Sequence, residues 1–229
     1  MINSEIRRIL DFTLLNVDVT KSQLIDFCNV ANRIGPKTVC VFPENAEFVK
    51  SFLDEEINLA LVSHPFPVGS DSIVEIRKKV SEAVNFGADE IDCVLEPRDV
   101  SDFPGEVELE KLVEMRDSSN GRVLKVIIEA PQLREREMRA VIRMVLASGA
   151  DFVKSGTGRR GICTKEQAII LAEEVCRHNV ISGEYKGIKL AGGIKTREDL
   201  DKLISAIYEI DREIIDRGLL RIGTSAILV

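Results

Sequence analysis

The sequence predicts an α/β protein folded as a (β/α)8 TIM barrel. Three observations point there: short β-rich apolar runs alternate with longer amphipathic runs along the whole chain, about eight such units fit within 229 residues, and no linker or low-complexity stretch divides them. With 45% hydrophobic residues the chain can build one large core, so a single domain over residues 1–229 is expected. A doubly wound open sheet is the alternative, disfavoured because no GxGxxG opens a helix after a strand.

In chain order the strand candidates are ILDFT near residue 10, TVCVFP near 40, INLALVS near 60, EIDCVL near 92, VLKVIIE near 126, DFVKSG near 154, GIKLAG near 189 and LLRIGTS near 222. After the first of these, Thr20-Lys21-Ser22-Gln23 has the spacing of a capping box and opens a helix that Gly35-Pro36 stops. Gly87 and Gly149, each in a Gly-Ala-Asp tripeptide, stop the helices before the fourth and sixth strands. The chain ends at Val229, just beyond the eighth strand, so a short or missing closing helix is expected.

Composition narrows the function. Charged residues make up 30%, both signs are mixed, and the net charge of −7 opposes an extended grip on nucleic acid or an acidic membrane. A small anion remains open as a ligand wherever basic residues cluster. No window approaches the roughly 20 apolar residues of a membrane span, and the start MINSEIRRIL has no apolar run behind its charges, so a cytoplasmic protein is expected. Five cysteines without CxxC spacing read as reduced thiols, and two histidines without a cysteine cluster make a metal site improbable. Acid–base chemistry would lean on Lys, Asp and Glu.

Strand parity then places charges indoors, because alternate residues of a barrel strand face the helices and the interior. If Leu124, Val126 and Ile128 face the helices, Lys125, Ile127 and Glu129 face inward; Leu10 and Phe12 outward put Asp11 and Thr13 inward; Ile91, Cys93 and Leu95 outward put Asp92 inward. Lys154 and Lys189, each alone among apolar neighbours, can share that interior. Unpaired buried charge is costly, so such a gathering at a barrel mouth points to chemistry. Two ammonium groups held close in a low-dielectric pocket resist protonation together, and a neutral lysine attacks carbonyl carbon to form a Schiff base. Asp92 and the second lysine would carry the protons.

Three late strands run into small-residue turns: Ser155-Gly156-Thr157-Gly158, Gly192-Gly193-Ile194-Lys195 and Gly223-Thr224-Ser225. Exposed backbone N–H groups there suit a phosphate, and Lys195, Arg159 and Arg160 add positive charge nearby.

Taken together these residues resemble the deoxyribose-phosphate aldolases, class I Schiff-base enzymes, nearly from end to end. The resemblance is carried in order by LDFTLLN, VCVFP, FPVG at 66–69, GADEIDCVL, LKVIIE, GADFVKSGTG, KLAGGIKT and RIGTSA. It implies that Lys154 forms the Schiff base, Lys189 perturbs it and Asp92 joins the proton relay. It also implies reversible cleavage of 2-deoxyribose 5-phosphate to acetaldehyde and glyceraldehyde 3-phosphate, without metal or organic cofactor. Phosphate would rest on Gly158, Gly192, Gly193, Gly223 and Ser225, aided by Arg159 and Lys195, while Asp11, Thr13, Cys40, Lys125 and Thr157 match positions lining the substrate pocket. Gly156 departs from the family's Thr-Ser-Thr-Gly run, and Ala226 stands where many members carry a second serine. Another Schiff-base aldolase or transaldolase acting on a different sugar phosphate, and a non-catalytic sugar-phosphate binding protein, are the competing readings. Barrels of this kind often self-associate, so a homo-oligomer is expected.

Overall fold

A computed structural model of the protein describes residues 4–63, 65–70 and 72–226. Eight parallel strands close into a barrel in sequential order, β1 (Leu10–Leu14), β2 (Thr38–Val41), β3 (Asn58–Val62), β4 (Glu90–Val94), β5 (Val123–Ile127), β6 (Phe152–Lys154), β7 (Gly187–Ala191) and β8 (Leu220–Thr224), with β8 pairing back onto β1. Each coincides with one of the eight apolar runs. The helices are α1 (Ser4–Ile9), α2 (Lys21–Ile34), α3 (Ala46–Lys50), α4 (Ile73–Asn85), α5 (Glu106–Ser118), α6 (Glu135–Ala147), α7 (Lys165–Ser182), α8 (Arg197–Ile210) and α9 (Glu213–Asp216). Among the described residues no helix follows β8.

Helix ends sit where local chemistry puts them. The Thr20 side chain accepts the N–H of Gln23 while Gln23 accepts the N–H of Thr20, satisfying two donors at the start of α2. Gly35 closes that helix at φ 64°, a conformation that costs glycine little. Gly87 and Gly149 end α4 and α6 with φ of 82° and 88°. Thr164 with Gln167 and Thr196 with Asp199 repeat the reciprocal cap at the starts of α7 and α8.

The core has two shells. Leu124, Val126, Ile128, Leu10, Phe12, Ile91 and Cys93 pack outward with the apolar faces of the helices, and each fully buried aliphatic contributes about 1.5–3 kcal/mol by leaving water. A smaller apolar group of Leu15, Cys40, Phe42, Ala60, Val62, Phe66, Val94 and Ile127 fills one side of the barrel interior. Parallel register brings the polar inward positions side by side, Asp92 opposite Lys125, Lys154 opposite Lys189 and Lys189 opposite Arg221.

Candidate active site

Asp92 is the centre of a buried ionic cluster. Its Oδ2 accepts hydrogen bonds from Lys154 Nζ and Lys189 Nζ, both at 2.7 Å, and its Oδ1 accepts one from Lys125 Nζ at 2.9 Å. Lys189 Nζ is also 2.7 Å from Asp11 Oδ2, and Lys125 Nζ lies 2.6 Å from Glu90 Oε2 and 3.5 Å from Asp11 Oδ2. Arg221 completes the set, its Nε 3.6 Å from Asp11 Oδ1 and its guanidinium over the Phe152 ring. Among the described residues, Lys154, Lys125, Lys189 and Arg221 thus face the carboxylates of Asp11, Glu90 and Asp92, which leaves one positive charge in excess. A neutral Lys154 removes it.

The three lysines divide by the carboxylates each can reach. Lys154 touches Asp92 alone, Lys189 touches two carboxylates and Lys125 three. Burial holds the Lys154 amine below the usual lysine range, with Lys189 adding to the effect and Asp92 opposing it. For Lys189, burial pulls the same way but Asp11 and Asp92 outweigh it, so this amine sits above its ordinary value. Burial is likewise outweighed at Lys125 by Asp92, Asp11 and Glu90, and that amine lies well above the ordinary value. For Asp92, burial raises and the three lysines lower, leaving the carboxyl well below 3.8. Removal from water is the larger cause of the lowering at Lys154, and the neighbouring cation expected to cause it comes behind.

Lys154 opens onto a cleft of about 280 Å3 that the small-residue turns line, together with Thr13, Leu15 and Asn16. Thr157, Gly158, Arg159, Gly192, Gly193, Lys195, Gly223 and Ser225 all face this space. The turns approach so closely that side chains are excluded. A Cβ on Gly192, whose φ is 101°, would stand 2.7 Å from the Gly161 carbonyl, and one on Gly223 would stand 3.2 Å from Lys189 Cε. Arg159 is anchored by donating to the Leu15 carbonyl at 2.5 Å. Lys195 and Ser225 are exposed at the cleft edge. Beneath the cleft and sealed from water lie Asp11, Asp92, Lys125 and Cys40, the Cys40 Sγ 4.0 Å from Asp92 Oδ2 and its thiol pushed upward by burial. The Thr13 hydroxyl donates to the Asp11 carbonyl. A larger hollow of about 480 Å3, between residues 100–104 and the start of α6, shares no residue with this cluster.

Comparison with known proteins bears directly on this arrangement. The model of the DeoC/LacD family aldolases matches residues 8–220. The chain belongs to that family. The deoxyribose-phosphate aldolase of Malacoplasma penetrans is 32% identical over 221 residues, covering 96% of this chain and 92% of that protein. That of Caldicellulosiruptor saccharolyticus is 31% identical over 232 residues, covering 99% and 96%. Among solved structures, an aldolase designated QR15 superposes with a TM-score of 0.80 at 27% identity, covering 99% of this chain and 93% of that one. The deoxyribose phosphate aldolase of Aeropyrum pernix, at 21% identity and a TM-score of 0.76 over 96% and 87% of the two chains, shares the fold.

Several residues of this family member escaped the sequence argument. Glu90 and Arg221 have the parity of Asp92 and Gly223, so the signal that found the inward set also pointed to them. Glu129, expected on the inner wall, lies beyond the end of β5 with φ 50°, where strand parity no longer applies; its Oε1 accepts the N–H of Thr157 at 2.6 Å and holds the turn after β6. Arg160, expected near the anion turns, pairs instead with Glu96 on the other side of the mouth. Gly156 leaves room, since a Cβ there would meet Pro131 and Glu129 no closer than 3.7 Å.

Proposed function

We propose that this protein reversibly cleaves 2-deoxyribose 5-phosphate to acetaldehyde and glyceraldehyde 3-phosphate through a Schiff base on Lys154. The observation that carries the reading is the asymmetry of the lysines: of the three around Asp92, Lys154 alone is held below its ordinary range, and it alone lines the cleft. Its neutral amine attacks the substrate aldehyde carbon to form a carbinolamine, and loss of water leaves an iminium. The iminium draws electrons from the breaking bond between the second and third sugar carbons. As that bond opens, the hydroxyl on the third carbon gives up its proton and departs as the aldehyde of glyceraldehyde 3-phosphate. The remaining two-carbon enamine takes a proton and is hydrolysed to acetaldehyde, which regenerates the amine. Asp92, kept ionised by the cationic lysines around it, and Lys189, kept protonated by two carboxylates, are the relay. Lys125, Asp11 and Cys40 shape the buried side, with Thr13 and Thr157 along the substrate path. The phosphate lies against Gly158, Gly192, Gly193, Gly223 and Ser225, with Arg159 and Lys195 as counter-charges.

Borohydride reduction with acetaldehyde tests this directly: one reduced two-carbon adduct per chain, mapped by peptide analysis to Lys154, is expected. Native protein that gains no adduct while a control aldolase does would refute it. The family description covers more than one aldolase, which keeps a different sugar phosphate as the second reading, and a panel of acceptor aldehydes separates the two. The described cysteines are all unbridged, which supports a reducing, cytoplasmic setting. No helix is long and apolar enough to cross a membrane among the described residues. Self-association is proposed with the tetrameric Aeropyrum pernix aldolase as precedent, and light scattering after gel filtration measures it.

A further inference from the structure

Arg160 leaves the turn after β6 and reaches across the barrel mouth. Its Nη1 donates to Glu96 Oε1 at 2.6 Å, and its Nη2 to Glu96 Oε2 at 3.1 Å and to the Pro67 carbonyl at 3.0 Å. Glu96 Oε2 also accepts the Gly69 N–H at 2.9 Å. Three loops, those following β3, β4 and β6, are thereby tied into one strap. The seat is close: a Cβ on Gly69 would stand 2.7 Å from Glu96 N and 2.8 Å from the Val94 carbonyl. Both charged side chains are mostly covered, 18% exposed for Arg160 and 24% for Glu96, so the two-pronged pair is shielded from competing water.

What the strap positions is Phe66, the residue before Pro67. Its ring is buried, packs edge-on to Phe42 at 5.9 Å between centroids, and has its centroid 5.9 Å from Lys154 Nζ. The ring therefore belongs to the apolar group that fills the interior beside the amine. We infer that the Arg160–Glu96 pair is a specificity-determining element that fixes Phe66 against Lys154 and so restricts the aldehyde carried on that amine to two carbons. The inference rests on the aldolase reading. A hydrophobic pocket rejects one extra methylene by about 10- to 200-fold only while its walls hold their place, and here the residue next to Phe66, Pro67, is held to Glu96 through Arg160.

The test is a competition between equimolar acetaldehyde and propanal for glyceraldehyde 3-phosphate, in wild type, Arg160→Met, Glu96→Gln and the double variant. Wild type is expected to favour acetaldehyde by at least about 10-fold. Each single variant should lose most of that preference, and the double variant should lose no more than either single, as expected of partners in one contact. Glu96→Gln keeps the side-chain shape and supplies the readout if Arg160→Met does not fold. An unchanged product ratio in a folded variant that still traps acetaldehyde on Lys154 overturns the strap alone, as does full additivity in the double variant. Wild type that traps nothing overturns the aldolase reading and the strap with it.

Discussion

Replacing Lys189 by Met, a side chain of similar length without charge, asks whether a second cation tunes the reactive amine or only carries protons. The ammonium groups of Lys154 and Lys189 each lie 2.7 Å from the same Asp92 oxygen, so they are at most about 5.4 Å apart. At an effective dielectric near 20, two unit charges at that distance repel by about 3 kcal/mol. Losing this repulsion favours the protonated form of Lys154 and lowers the ratio of neutral to charged amine by about a hundredfold. Asp92 strengthens the change, since one competitor for its Oδ2 is gone. The sign follows from the direction of the shift. Lys154 is lowered in the native protein and active when neutral, so activity falls as pH drops through its pKa, and the variant's acid limb must lie at higher pH. Measuring kcat/KM for 2-deoxyribose 5-phosphate from pH 5 to 10 separates the explanations: electrostatic tuning predicts a loss near neutrality that recovers in alkali. A uniform loss with the acid limb unmoved would refute the electrostatic argument and leave Lys189 as a proton carrier. Urea unfolding belongs beside the kinetics, because Asp11 loses its nearest cation.

Three further outcomes are expected. Lys154→Ala should remain folded by circular dichroism and gain no borohydride adduct, and retained turnover would remove Lys154 from the chemistry. Gly192→Ala, whose new methyl would press on the Gly161 carbonyl, should raise KM for the phosphorylated substrate by about tenfold or more, the scale of one displaced contact; reductive trapping of phosphate-free acetaldehyde should be unaffected, and an unchanged KM counts against the anion turns. Asp92→Asn leaves Lys125, Lys154 and Lys189 without their shared carboxylate and should cost about 3–5 kcal/mol in urea. In the native protein the same linkage predicts a pH dependence: the stability supplied by ionised Asp92 is fully present above its unfolded value of 3.8 and is lost as pH falls from there toward its lower folded value, which acid titration of unfolding would detect.

The strands were legible because a fully covered parallel sheet needs continuous apolar runs; the period of two then placed Asp11, Asp92 and Lys125 on the inner wall, and Lys154 and Lys189 stood out as lone charges among apolar neighbours. Glu90 and Arg221 share that parity and went unnamed, because nothing about their neighbours singled them out. The period of two does not extend to Glu129, which lies past the strand end at positive φ and is buried against the turn after β6. Arg160 lay beyond any periodic rule, because a long side chain on an irregular turn goes wherever its partner happens to be, here Glu96, 64 positions earlier in the chain.

Local chemistry written along the chain therefore settled the (β/α)8 alternation, the helix caps at Thr20 and Gly35 and which face of each strand turned inward, since propensity, capping and periodicity act between near neighbours. Closure of the barrel decided the rest. Only when β1, β4, β5, β6 and β7 meet around one axis does Asp92 come to hold three lysines, and only there does Lys154 end with a single carboxylate while Lys189 has two and Lys125 three. Charge energies depend on distance and on the exclusion of water, and both are properties of the assembled interior.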